Sequence, residues 1–168
     1  MKHAKSNSGL TLVETLIYAA LISVVIGMIV VVAFQVIDAN SNLGEIVFLE
    51  EEANFILRKI SWAISGASDI NSPGSGNIST STLSIDKFET GAGENPLIFS
   101  ISEGSILLKR GNTSSTPLNS AFVTIQNATF THIMATGTAP AGIKVELAIR
   151  NTATIKTRAY SITSYLRP

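Results

Sequence analysis

The sequence predicts an α+β chain in which one long N-terminal helix covers a C-terminal antiparallel β-sheet. Three observations carry that expectation. Residues 16–34 are apolar apart from Ser23 and the Tyr18 hydroxyl, and no charged side chain occurs from Thr15 to Ile37. The helical pattern then continues, with Ile46, Leu49, Ala53, Ile56, Leu57, Ile60 and Ile64 on one arc at steps of about 100° per residue. From Leu83 onward the period changes to two, as half-buried strands require.

Composition bounds the possibilities. A chain of 168 residues suits one domain with additions at its ends and a modest core, and it argues against a multidomain enzyme. Lys plus Arg and Asp plus Glu stand at 12 each, so no overall field recruits nucleic acid or a strongly acidic partner. Cysteine is absent, which excludes disulfides, thiolate metal sites and a cysteine nucleophile and leaves packing alone to hold the fold. The hydrophobic fraction is 45% and the charged fraction 14%. Most of the apolar excess sits near the N-terminus, so the composition mixes two regions of different character.

Taken in order, residues 1–9 read as a leader peptide. They carry Lys2 and Lys5 and no acid, a distribution that keeps a segment on the cytoplasmic side of a membrane. Residues 10–37 read as a transmembrane and assembly helix, since about 20 apolar residues cross a bilayer. They contain no proline, and Gly27 is the one weak helix former in the middle of the run. Residues 38–168 are expected to form a globular domain outside the cytoplasm. Its first part, 38–65, is an amphipathic helix that continues out of the membrane, with Gly44 as the only turn signal. A helix from 10 to 65 would be about 80 Å long. Phe48, Phe55 and Trp62, spaced by sevens, form a second, narrower stripe on a different side. One face can thus cover a sheet while the other meets a neighbour, although packing within the domain is the plainer account of any single residue.

Helix signals stop at Gly66. Residues 66–82, rich in Ser, Gly, Asn and Thr with Pro73 among them, read as an exposed polar loop. Residues 83–168 read as the sheet. Leu97, Phe99 and Ile101 alternate with Ile98, Ser100 and Ser102, Glu103-Gly104 forms a tight turn, and Ile106 and Leu108 continue the alternation. Val123 and Ile125 begin a strand that runs on through Phe130 and Ile133. Ile143, Val145, Leu147 and Ile149 mark another, and Tyr160, Ile162 and Leu166 share one side of the last. A sheet with one apolar face requires a cover, and the amphipathic half of the helix is the only large candidate in the chain.

The apolar run is entered through Gly9-Leu10-Thr11-Leu12-Val13-Glu14, followed by Thr15-Leu16-Ile17. The order is a basic leader, a glycine, a large apolar residue, Thr, Leu, an aliphatic residue, Glu, and then an uninterrupted apolar helix. It resembles the class III signal of type IV pilins, pseudopilins and their relatives. The resemblance implies cleavage by prepilin peptidase between Gly9 and Leu10 and methylation of the new N-terminus, where Leu10 stands in place of the usual phenylalanine. A carboxylate in hydrocarbon is costly, so Glu14 must lie near the interface or meet a positive partner. The resemblance implies the second: Glu14 would neutralise the α-amine that cleavage creates on an adjacent subunit. It implies a minor pilin or pseudopilin of a pilus, type II secretion or DNA-uptake filament, with other pilin subunits, the peptidase, an inner-membrane assembly platform and membrane lipid as partners. The segment 160–168 resembles, more weakly, the last strand of J-type minor pseudopilins and their pilus counterparts.

No enzyme constellation accompanies this motif, and no cofactor, metal or small-molecule substrate is expected. His132 is the only histidine after the leader and reads as a strand residue. Glu50-Glu51-Glu52 point in successive helical directions and read as a solvated face rather than a cation site. The glycosylation sequons at Asn77, Asn112 and Asn127 carry little weight. Lys144, Arg150, Lys156, Arg158 and Arg167 against Glu146 form a basic strip, read as edge-strand charge in preference to a contact with DNA phosphates. Two rival classes remain: a β-rich binding domain secreted after cleavage at Ala33, and a monomeric receptor on a plain single-pass anchor.

Overall fold

The computed structural model describes residues 11–166 except 77, 89, 90, 92, 138 and 139. The leader and the Gly9–Leu10 bond lie outside the described residues. The chain divides into two compact units, Met1–Glu45 and Ile46–Pro168.

Helix α1 runs unbroken over Leu12–Ser65, 54 residues in which no proline occurs. In the first unit every residue from Thr11 to Gly44 is exposed. A Cβ built on Gly27 or Gly44 would meet nothing within 4 Å. In the second unit α1 buries Leu49, Ala53, Ile56, Leu57, Ile60, Ala63 and Ile64. That is the arc expected from the sequence, with Ile46 only partly covered and Ala63 added. The second unit starts at Ile46, and residues 38–44 of the helix are all exposed.

The strands are β1 (Ala67–Ser72), β2 (Ser79–Thr80), β3 (Thr82–Lys87), β4 (Leu97–Ser102), β5 (Ser105–Arg110), β6 (Thr116–Pro117), β7 (Val123–Ile133), β8 (Gly142–Asn151) and β9 (Thr157–Tyr165). They form two antiparallel sheets instead of the single one expected, in the orders β1-β3-β4-β5-β6 and β2-β7-β8-β9. Alternation identifies which side of a strand is apolar, and it does not say which strand lies beside it. Leu83, Ile85, Leu97, Phe99, Ile106 and Leu108 of the first sheet are buried in one cluster with Phe130, Ile143, Val145, Leu147 and Ile149 of the second and with the buried arc of α1. The chain is therefore α+β, with a long helix packed on antiparallel sheet.

Local chemistry explains the details. The β4–β5 hairpin turns at Glu103 and Gly104, whose φ angles of 50° and 73° are the left-handed pair that a type I′ turn needs. In β7 the pairing with β8 shifts register between Ile125 and Asn127. This bulge changes the buried set from Val123 and Ile125 to Ala128 and Phe130, which keeps apolar residues inward although their sequence parity switches.

The polar loop expected at 66–82 is a correction. It contains β1 and β2, and Ala67 enters the core. Its Ser, Asp and Asn residues have poor strand propensity, yet β1 is an edge strand held by side chains as well as backbone. The Ser68 hydroxyl donates to the Asp86 carbonyl at 3.0 Å and the Asn71 amide to the Asp86 carboxylate at 3.0 Å. At β2 the Ser79 and Thr131 hydroxyls lie 2.8 Å apart.

Candidate assembly surfaces

Of the three residues singled out by the motif, Gly9 and Leu10 lie outside the described residues, and Glu14 is in the first turn of α1. Thr11 stands just before the helix. Its side-chain oxygen accepts from the Glu14 N–H at 3.3 Å, and its carbonyl accepts from the Thr15 N–H at 3.1 Å. This is N-cap geometry with the acid at the third helical position. The pattern Thr11-x-x-Glu14 is a capping signature legible in the sequence. A negative charge in the first turn also complements the helix dipole. The Glu14 carboxylate, fully on the surface, accepts from the Tyr18 hydroxyl at 3.5 Å. Thr15 and Ser23 return their hydroxyls to the carbonyls of Leu12 and Ala19, both at 2.8 Å. The polar groups of the apolar run are thus satisfied by their own helix, as a low-dielectric setting demands.

From Leu16 to Phe34 the surface of the helix is apolar apart from Tyr18 and Ser23. Leu16, Ile22 and Met28 lie on three different sides of the helix, about 120° apart, and retain 62%, 58% and 64% of their accessible area. Among the described residues this is the one helix long and apolar enough to cross a membrane, and none of that stretch is covered by the fold.

The second unit carries another uncovered face. Phe55 and Trp62 are half exposed, while Phe48 packs against the edge of the core. The Lys87 ammonium, from the end of β3, sits 3.4 Å from the centre of the Trp62 ring, and the Lys59 ammonium 5.2 Å from it. Desolvation, helped by the neighbouring Lys59 charge, pushes the Lys87 amine below its ordinary pKa. Seven residues back along the stripe, Phe48, Phe55, Glu51 and Glu52 join Leu118, Asn119 and Ser120 around an open cleft of about 420 Å³. Glu52 closes one side of it by accepting from the Ser120 N–H at 3.4 Å.

The remaining candidates are placed as follows. His132 is in β7, and its Nδ1 lies 3.2 Å from the Gly74 carbonyl oxygen. No group of three His, Asp or Glu residues positioned to hold a metal ion occurs among the described residues. Of the basic strip, Lys144 and Arg150 are on β8, Lys156 lies between the strands and Arg158 is exposed on β9, the edge of its sheet, while Arg167 lies outside the described residues; Lys144 pairs with Glu146 at 2.8 Å.

No family model matches the sequence, and no curated protein or solved structure matches it.

Proposed function

We propose that the chain is a structural subunit of a type IV pilus-like, type II secretion or DNA-uptake filament, a minor pilin or pseudopilin processed by prepilin peptidase. The observation that carries this reading is the conjunction at the head of α1. The sequence Gly9-Leu10-Thr11-Leu12-Val13-Glu14 opens a helix of bilayer length whose side chains the fold leaves uncovered through Gly44. In this reading the subunit is held in the cytoplasmic membrane with residues 1–9 inside and the β-rich domain outside. Cleavage after Gly9 frees the amine of Leu10, and Glu14 of a neighbouring subunit meets that amine in apolar surroundings. Each charge is costly alone and tolerable as a pair.

A second reading has one observation in its favour. Because Thr11 and Glu14 make a helix cap, Glu14 has a local use that a plain single-pass anchor would also need. One experiment separates the two. Mass spectrometry of the protein from its native membrane should find Leu10 at the mature N-terminus, and replacing Gly9 by Leu should leave the full-length precursor. Glu14→Ala should keep normal membrane levels, because the helix becomes more hydrophobic, and should lower cross-linking to other filament subunits. Equal cross-linking by wild type and variant would remove Glu14 from assembly and favour the anchor.

A further inference from the structure

Strand β9 ends the sheet β2-β7-β8-β9, and no described strand pairs with its far edge. Two hydrogen bonds fix the phase of its ladder: the Asn151 N–H donates to the Lys156 carbonyl at 3.0 Å, and the Leu166 N–H to the Ala141 carbonyl at 2.9 Å. With the register between them, Arg158, Tyr160, Ile162 and Ser164 are the residues that exchange bonds with β8. Thr157, Ala159, Ser161, Thr163 and Tyr165 therefore aim their N–H and C=O groups away from it. Proteins ordinarily blunt such an edge with brevity, proline, bulges or charge. The other sheet edges here do so: the pairing of β1 shifts register twice, β2 and β6 have two residues each, and β6 ends in Pro117. β9 pairs with β8 without a register shift, and from Ala159 to Tyr165 it holds neither proline nor charge. Its side chains show the same opening. Val145 and Leu147 of β8 are buried, whereas Ile162 and Tyr160 opposite them stay partly uncovered at the margin of the core.

We propose that the free edge of β9 receives an extended segment of a different protein, added antiparallel as a further strand. Its backbone meets the outward groups of Thr157 to Tyr165. Its side chains opposite Tyr160 and Ile162 are apolar, since these pairs fall on the core side at the closest cross-strand distance. An acidic side chain faces Arg158, which has no ion pair among the described residues. A second copy fits less well. Two β9 strands pair symmetrically only when antiparallel about Ser161. Ser61 touches Ser164 and the Glu50 charge acts on Tyr160, so this part of α1 points along β9. Symmetric pairing sets the two helices in opposite directions, whereas copies held in one membrane face the same way. That premise alone comes from the filament reading, and the proposal otherwise goes beyond it.

The test uses the full-length chain in lipid nanodiscs and a synthetic peptide as long as β9, Thr-Val-Thr-Val-Thr-Val-Thr-Glu-Thr, whose Glu comes opposite Arg158. At saturating peptide, amide exchange followed by NMR should slow about tenfold at Ala159, Ser161 and Thr163. N-methylating the inner Thr residues of the peptide, whose N–H groups face β9, should weaken binding about tenfold or more, and N-methylating its Val residues should not. Ser161→Pro removes an outward N–H and leaves the β8 ladder whole, so this chain should melt near wild type yet bind the peptide more weakly. Changing the peptide's Glu to Lys should also weaken binding, and Arg158→Glu should restore it. The proposal is overturned in two ways. Amides unchanged by the peptide, or both N-methylated peptides binding like the parent, would mean that no strand is added. Amides already slow in the free chain, in particles that hold two copies, would mean that a second copy occupies the edge. Neither result touches cleavage at Leu10, which tests the filament reading separately.

Discussion

At Gly111 the backbone adopts a φ of 48° and its N–H donates to the Pro96 carbonyl at 2.8 Å, while a Cβ added there would collide with the Gly93 carbonyl oxygen. Gly111→Ala should therefore destabilise the domain by about 1 kcal/mol or more, since the usual gain from restricting the unfolded chain is outweighed by strain. An unchanged denaturant midpoint would show that the turn has room. Asn95 does related work nearby: its amide oxygen accepts from the Lys87 N–H at 3.1 Å and its NH₂ donates to the Lys87 carbonyl at 3.0 Å, extending the edge of β3 with a side chain. Tyr160 offers a pH test. Desolvation, then the charge of Glu50, raise its phenol above the ordinary 10.0, with Arg158 opposing. The folded state thus favours the neutral phenol, a stabilisation fully present below pH 10.0 and lost as pH rises through the higher folded value. Lys87, lowered from 10.5, acts in the opposite sense by favouring its neutral form as pH approaches that value. Tyr160→Phe should accordingly flatten the alkaline fall in melting temperature relative to wild type. Superimposable curves above pH 10 would exclude the phenol as the titrating group.

On α1, adjacent residues point to opposite fates. Ile56 is 0% exposed in the core and Phe55 is 50% exposed on the aromatic stripe. Ile56→Asp should abolish folding, because an unpaired buried charge costs several kcal/mol, comparable to the stability of a small domain. Phe55→Asp should leave the melting temperature within a few degrees of wild type, because half of that side chain already meets solvent. A variant pair with equal melting would mean that the covering face has been misassigned. Among the strands, β8 is the best supported, paired along its length by β7 on one side and β9 on the other. Ser61 on α1 and Ser164 on β9 place their hydroxyl oxygens 2.7 Å apart, tying helix and edge strand by a polar contact at the margin of the core.

Considered whole, the chain keeps its apolar surface in two forms. Leu49 to Ile64 of α1 and both sheets bury theirs in one cluster, whereas Leu12 to Ile37 display theirs, with no partner from the fold. An uncovered apolar surface of that extent requires lipid or protein around it. A chain trimmed to residues 46–168 should therefore be soluble, folded and cooperative in melting, because among the described residues 11–45 contribute no buried residue to the core. Aggregation of that chain without a melting transition would mean that residues before Ile46 support the fold. The same trimmed chain should lose association with membranes.

The sequence by itself determined the long helix, its buried arc, the hairpin at Glu103-Gly104 and the inward faces of the later strands, because each follows from a local period or a dipeptide with a known backbone preference. It also held the motif from Gly9 to Glu14, and the capping role of Thr11 could have been read there from its spacing. Tertiary structure alone decided what depends on distant neighbours. The division into two sheets, the strand nature of 67–72 and the bulge after Ile125 arise from pairing partners that polarity patterns do not name. The approach of Lys87 to Trp62 belongs to the same class: residues 25 positions apart meet because β3 ends beside α1. Periodicity records how a segment meets solvent and core, and long-range pairing records which segments meet each other. Only the folded chain resolves the second.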